Sequence, residues 1–234
     1  MKKKVIILGA RGALGQGITK VLLEKKYDHY YLADFNIDGN ESRDNITWLS
    51  TGDLSAEGKA EEVFSKAATD ETTLFFLYST IGGYTGGKEL PDVSEADILK
   101  MMNMNYIVSF NILREFSKLV KKSLGGSAVF TTALTSLNPQ KGVSAYGSSK
   151  AALNYLIKSA AEEGKSYNMS VNAIAPYILD TPANREWLDK EQLPHVINTE
   201  EAGLLVHSLY ENFHFVTGNI IELSYRFNLI KKNN

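Results

Sequence analysis

The 234-residue sequence contains no cysteine. That absence excludes a disulfide framework, a thiolate nucleophile and any cysteine-ligated zinc site. Histidine is sparse: His29, His195, His207 and His214 are scattered without metal-ligand spacing, so no metal centre is expected. Charge of one sign is also lacking. Twenty-five Lys and Arg against 27 Asp and Glu leave a net charge of −2, with no long basic stripe, which argues against nucleic acid as a partner. No apolar run approaches the length of a membrane span. Met1-Lys2-Lys3-Lys4 leads only into the short run Val5-Ile6-Ile7-Leu8, too brief for a signal segment. A cytoplasmic protein without membrane contact is the expectation.

The hydrophobic content of 44% is ordinary for a globular chain. A chain of this length is expected to fold as one domain spanning 1–234 and to bury roughly three-quarters of its unfolded surface. Apolar runs at 5–8, 30–33, 46–49, 73–78, 127–132, 170–174 and 218–223 read as strands. Between them lie helical patterns at 15–26, 55–68, 94–122, 146–163 and 198–210. Ser55 is a candidate cap for the second helix, and Asn198 with Glu201 resembles a capping box for the last. Such alternation predicts a single-domain, doubly wound α/β fold of the Rossmann-like type. About seven parallel strands would carry helices on both faces. Only 180–199 lacks clear periodicity, and it is expected to be a substrate lid.

The first strand runs into Gly9-Ala10-Arg11-Gly12-Ala13-Leu14-Gly15. Glycines in a strand-to-helix turn allow close backbone approach to a pyrophosphate, which the N–H groups of the helix N-terminus then hold. Asp34 ends the second strand, where a carboxylate accepts from ribose hydroxyls and repels a 2′-phosphate. NADH is therefore expected over NADPH, although Arg11 in the same turn could neutralise a phosphate and keeps NADP open. Asp53-Leu54, after the third strand, could set a carboxylate near the adenine amino group.

Tyr146 and Lys150 lie four residues apart near the start of a predicted helix and so share one face. A phenol with an ordinary pKa of about 10 becomes a usable proton donor near neutral pH when an ammonium stabilises its anion. A second Tyr-x-x-x-Lys, Tyr84 to Lys88, falls in a glycine-rich loop with no helix to fix it.

With the glycine turn, Asp53-Leu54, Asn105, Tyr146/Lys150, Val171-Asn172-Ala173-Ile174-Ala175-Pro176, Thr181-Pro182 and Thr217-Gly218, the whole chain resembles a short-chain dehydrogenase/reductase. The resemblance implies reversible hydride transfer with a nicotinamide cofactor. It casts Tyr146 as the acid-base group, Lys150 as the holder of the nicotinamide ribose and Asn105 as a helper in positioning a relay water. It extends the cofactor contacts to Ser79, Gly82, Pro176, Ile178 and Thr181. The usual Gly after Pro176 is replaced by Tyr177.

One position departs from that pattern. The family places a serine thirteen residues before the tyrosine, and here that residue is Ala133. Loss of one such hydrogen-bond donor typically costs about 3–4 kcal/mol of transition-state stabilisation. A ketone reductase should suffer unless Thr132, Thr135 or Ser136 substitutes. Ala133, the loop Gly82-Gly83-Tyr84-Thr85-Gly86-Gly87 and Leu179-Asp180-Thr181-Pro182-Ala183-Asn184-Arg185 resemble the dihydropteridine reductase branch of the family. That branch implies NADH-dependent reduction of a conjugated acceptor, quinonoid dihydropterin. Tyr84, Ala133, Thr135 and Tyr146 would then line the substrate. A carbonyl reductase of another substrate class and a catalytically silent dinucleotide sensor remain the alternatives. Met101, Met102 and Met104 read as core or interface filler. The helices at 94–122 and 146–163 carry more apolar residues, among them Ile98, Met102, Ile107, Phe110 and Phe116, than one sheet can cover. A homodimer through these helices is expected.

Overall fold

The computed structural model describes residues 1–37, 44–67 and 69–227. Seven strands form one parallel sheet: β1 (Lys2–Leu8), β2 (His29–Asp34), β3 (Ile46–Ser50), β4 (Thr73–Ser79), β5 (Gly125–Thr131), β6 (Met169–Pro176) and β7 (Ile220–Leu223). Their order is β3-β2-β1-β4-β5-β6-β7. The central strands are apolar on both faces because helices cover both, as a parallel sheet requires. Ile6, Leu8, Phe75 and Leu77 face one helical layer, while Val5, Ile7, Phe76 and Tyr78 face the other.

The first layer holds α2 (Lys59–Phe64), α4 (Val108–Val120) and α5 (Ser144–Gly164). The second holds α1 (Ala13–Leu23) and α7 (Thr199–Glu211). These last two pack closely: a Cβ on Gly17 would overlap Thr199, and one on Gly203 would press on Val21. Among the described residues no helix is long and apolar enough to cross a membrane.

The chain after β1 crosses to β2 on one side, whereas β4 leads to β5 on the other. This reversal of winding opens a crevice outside the carboxyl ends of β1 and β4, the usual ligand position in such sheets. Leu8 pairs with Ala33 and Ser79, so the glycine turn, Asp34 and the start of the 80–89 loop share that edge.

Four local features differ from the sequence-based expectation. Ser55 does not cap α2; its N–H and hydroxyl both bond to Asp53 Oδ1, closing a turn, and the helix starts after Gly58 at φ +80°. The helix ends at Phe64, with Ser65 as its C-cap, short of the expected end; Ala68 itself lies outside the described residues. The helix expected over 94–122 is divided into α3 (Glu95–Met101) and α4 by a wide π turn at Met102–Ile107. α3 opens with a reciprocal capping box between Ser94 and Asp97. Phe116 is buried in the core, while Ile98 and Phe110 stay exposed, so the apolar excess is smaller than the pattern suggested. At α7, Asn198 accepts from the N–H groups of Glu200 and Glu201, but the Glu201 carboxylate pairs with Arg226 instead of closing the box.

The 180–199 stretch contains α6 (Pro182–Arg185), capped by Thr181 Oγ1. Its ends are tied together: Ile197 N–H donates to Ile178 O and Asp180 N–H to Ile197 O.

Candidate active site

The glycine turn is shaped by steric necessity at two positions. Gly9 has φ +80°, and a Cβ there would overlap the Thr80 hydroxyl. A Cβ on Gly15 would overlap Gly9 O. Thr80 was missed by sequence reasoning. Its hydroxyl bonds to Leu8 O and Gly9 O and so braces the turn from β4. Gly12 is the N-cap of α1 and offers no side chain, which leaves the N–H groups of Ala13 and Leu14 without a partner among the described residues. Those donors, together with the helix dipole, suit a diphosphate.

Asp34 is fixed at the mouth of this turn. Oδ2 accepts from Arg11 N–H at 2.8 Å and Oδ1 from Phe35 N–H at 2.8 Å. Each oxygen keeps a further lone pair for a ribose hydroxyl. The Arg11 guanidinium lies 5.6 Å from the centroid of Trp48. Asp53 serves the turn before α2, where the Ser55 hydroxyl and N–H hold its carboxyl below the usual range. Leu54 is buried, with its carbonyl bonded to Asn111. Ser79 ends β4 with its hydroxyl sealed and unpartnered among the described residues.

The second half of the site is built on α5, which begins two residues before Tyr146. Lys150 is buried, and its ammonium donates to Thr131 O at 2.9 Å. Burial pushes its pKa down to about 8. Behind this carbonyl, the fully buried Tyr78 hydroxyl bonds to Thr131 Oγ1 at 2.8 Å. Gly82 passes so close that a Cβ would stand 2.6 Å from Asn105 Oδ1 and 2.9 Å from Lys150 Nζ.

The Tyr146 phenol is pushed up to about 12 by burial, and the Tyr84 phenol adds to the rise. This is opposite to the direction that the Tyr–Lys pairing predicts. The reason is geometric: no hydrogen bond joins the two side chains, and the ammonium is turned to Thr131 O. The phenol hydroxyl has no protein partner among the described residues and is not sealed from solvent. Tyr84, largely exposed, sets its ring edge-on to Tyr146 with centroids 5.0 Å apart.

Asn105 is fully buried in the π turn. Its side chain accepts from Gly83 N–H and donates to Gly83 O, both at 3.0 Å, and also donates to Ser149 Oγ. Ser149 in turn donates to Tyr146 O. The residue expected to position a water therefore pins the 82–84 loop to the start of α5. Ser149 carried no signal in the sequence.

Ala133 is buried at the end of the chain segment leaving β5. The hydroxyls that could replace a serine here are mostly committed. Thr132 bonds to Ile174 O, and Ser136 donates to Ala133 O while accepting from Asn154. Thr135 Oγ1 is sealed without a partner among the described residues. Pro176 ends β6 opposite Leu223, and Ile178 follows with its carbonyl bonded to Ile197. Thr181 Oγ1 caps α6 and keeps its proton for another acceptor. No group of His, Asp and Glu among the described residues could hold a metal ion.

The sequence pattern of the short chain dehydrogenases matches residues 3–192. A dihydropteridine reductase of Dictyostelium discoideum is 30% identical over 190 residues, covering 80% of this chain and 79% of that protein. A galactitol 2-dehydrogenase of Rhizobium johnstonii is 24% identical, covering 87% and 86%. Among solved structures, ElxO with NADP bound superposes with a TM-score of 0.82 at 22% identity, covering 96% of this chain and 98% of that one.

Proposed function

The chain belongs to the short chain dehydrogenase family, and on that footing we propose that it is an NADH-dependent reductase of a conjugated acceptor, most specifically quinonoid dihydropterin. An oxidoreductase with a nicotinamide cofactor is the family's common ground; the acceptor and the choice of NADH belong to the proposal. The observation that carries it is an intact Tyr146 and Lys150 with a methyl group, Ala133, where the family's serine hydroxyl would stand.

The residues fit the cofactor. Gly9, Gly12 and Gly15 leave room for a diphosphate at Ala13 and Leu14, with Arg11 beside it. Asp34 receives the adenine ribose, Lys150 the nicotinamide ribose, and Ile178 and Thr181 the carboxamide. Asp53 and Ser79 are assigned weaker, flanking roles. When bound, the reduced cofactor supplies hydride. Tyr146 Oη supplies the proton to a ring nitrogen of the acceptor, and the Lys150 ammonium, which bonds to Thr131 O in the cofactor-free protein, would have to turn toward the phenolate to stabilise it. Asn105 keeps Gly83 in place, so that Tyr84 covers Tyr146 and presents an aromatic face to a flat acceptor. An electron-poor conjugated ring needs no donor at a carbonyl oxygen, so Ala133 is no handicap for it. Thr135 lines the same wall.

Steady-state rates with quinonoid dihydropterin and simple ketones test this reading: the pterin should be preferred by at least about 10²-fold in kcat/KM. Ala133→Ser should raise ketone reduction several-fold, and an unchanged rate would mean that the missing donor does not limit it. Asp34→Ser should raise the NADPH-to-NADH ratio of kcat/KM at least about 10-fold, or 1.4 kcal/mol, by removing the repulsion of a 2′-phosphate. A ratio that does not move would remove Asp34 from cofactor choice.

The dimer also belongs to this proposal. Ile98, Leu99, Phe110 and Tyr155 leave an exposed apolar surface on the α3–α4 and α5 helices. Sedimentation should show two copies associated through it, and a monomer at working concentration would contradict it.

A further inference from the structure

The chain has five methionines and no cysteine, so a peroxide that reaches it meets no thiol that would react first. The five sulfurs are not equally placed. Met101 and Met169 are 0% and 3% exposed, and Met102 is half-buried; only Met1, at 74%, and Met104, at 38%, are exposed. Met1 precedes β1 at the amino end of the sheet, away from the site. Met104 lies in the π turn, one residue before Asn105. Its side chain runs along the α-carbon of Gly83: a Cβ on that glycine would overlap Met104 Cε and stand 3.0 Å from Sδ. Asn105 holds the same glycine by its polar atoms, accepting from Gly83 N–H and donating to Gly83 O, both at 3.0 Å. Adjacent positions of one turn thus grip Gly83 with an amide and a thioether.

We propose that Met104 is an oxidation site through which a hydroperoxide releases the 82–86 loop and slows the enzyme. The thioether sulfur attacks one peroxide oxygen; the O–O bond breaks as the S=O bond forms. Sulfur is oxidised by two electrons and the peroxide is reduced by the same two. The proton of the attacked oxygen passes to the departing one, which leaves as water. A flexible apolar side chain becomes a polar, chiral one. The new oxygen has no room on the Gly83 side, where a methyl group already fails to fit. On the outer side it draws the side chain toward water. Gly83 then loses its apolar cover, and water competes for its two hydrogen bonds to Asn105.

The path from Gly83 to the reacting groups is short. Tyr84 follows directly and sets its ring edge-on to Tyr146 at 5.0 Å. Its hydroxyl end closes on Gly86, where a Cβ would overlap it, so the aromatic cover depends on the course of the loop. On the other side, Gly82 passes beside Lys150 Nζ. A loop displaced at Gly83 disturbs the neighbours of both Tyr146 and Lys150. Met101 supplies the contrast within the same segment: its Sδ faces Asn105 Nδ2 at 3.9 Å, but it is sealed in the core and kept from oxidant. The change is reversible, because sulfoxide reductases return the oxygen as water while a dithiol becomes a disulfide. That the loop covers a pterin rests on the function proposed above; the oxidation of Met104 and its effect on Gly83 do not.

The test treats the full chain with hydrogen peroxide. Mass spectrometry follows each methionine peptide, alongside amide exchange over 82–86 and NADH oxidation with quinonoid dihydropterin. Met104 should gain its oxygen with Met1, ahead of Met101 and Met169. As it does, exchange over 82–86 should quicken at least about 10-fold and turnover should fall at least about 5-fold. A methionine sulfoxide reductase with dithiothreitol should restore both. Met104→Leu keeps an apolar side chain of similar size on Gly83 while Met1 still oxidises. Peroxide should leave the loop exchange of this variant, and its rate relative to its own untreated sample, unchanged. Met104 that stays reduced after Met1 has oxidised would overturn the proposal, as would an equal response in Met104→Leu. A loop that quickens with Met104 sulfoxide in an enzyme that never turns over quinonoid dihydropterin would keep the oxidation site and remove the proposed acceptor. Turnover of the pterin that ignores Met104 oxidation would keep the acceptor and overturn the switch.

Discussion

Tyr146→Phe is expected to lower kcat for reduction of the acceptor by at least about 10²-fold, while NADH binding and folding stay close to wild type. The substitution removes one oxygen. That oxygen bonds to no protein group among the described residues, so its loss leaves no buried partner stranded. The ring stays, and with it the edge contact to Tyr84 at 5.0 Å. With a phenol pushed up to about 12, the donor remains protonated throughout the neutral range, which suits the direction of reduction. A proton taken from solvent instead would leave the rate of the variant near wild type. Pre-steady-state rates with saturating NADH distinguish the two, because product release would mask neither result.

Lys150→Met is expected to abolish turnover, by 10²-fold or more, and at the same time to stabilise the cofactor-free protein near pH 7. The ammonium is buried, with Thr131 O as its hydrogen-bond partner, and its pKa falls to about 8. An ordinary lysine titrates near 10.4, so keeping this one charged costs the folded state on the order of 3 kcal/mol. The folded pKa lies below the unfolded one. The penalty is therefore full below about pH 8 and is relieved as pH rises through 8 toward 10.4. Methionine removes it but strands Thr131 O, which returns about 1–2 kcal/mol. A net gain on the order of 1–2 kcal/mol at pH 7 remains, and it should shrink as pH is raised. Urea unfolding at pH 7 and pH 9.5 measures both. In wild-type enzyme, kcat/KM for NADH should fall above about pH 8 as the ammonium is lost. An equal gain over wild type at both pH values would contradict the buried-charge account.

Much of the fold was legible because it is local. Val5-Ile6-Ile7-Leu8 and Leu74 to Tyr78 are continuous apolar runs, the pattern of a strand covered on both faces. The glycine turn declared itself because Gly9 and Gly15 have no room for a side chain. What depended on distant neighbours stayed hidden. The clamp of Asn105 on Gly83 joins residues 22 apart, and the Thr80 brace on the turn joins residues 71 apart. The rise of the Tyr146 pKa was missed because spacing places Tyr146 and Lys150 on one face but does not orient the ammonium. Ser55 misled because its hydroxyl had a nearer partner in Asp53 than the helix it was expected to cap.

The most direct measurement is the amount of tetrahydropterin formed per NADH consumed when the enzyme is given quinonoid dihydropterin. One product per NADH, at a rate that saturates with acceptor and scales with enzyme, is the expected result. NADH that stays unconsumed with the pterin, while a ketone is reduced readily despite Ala133, would contradict it.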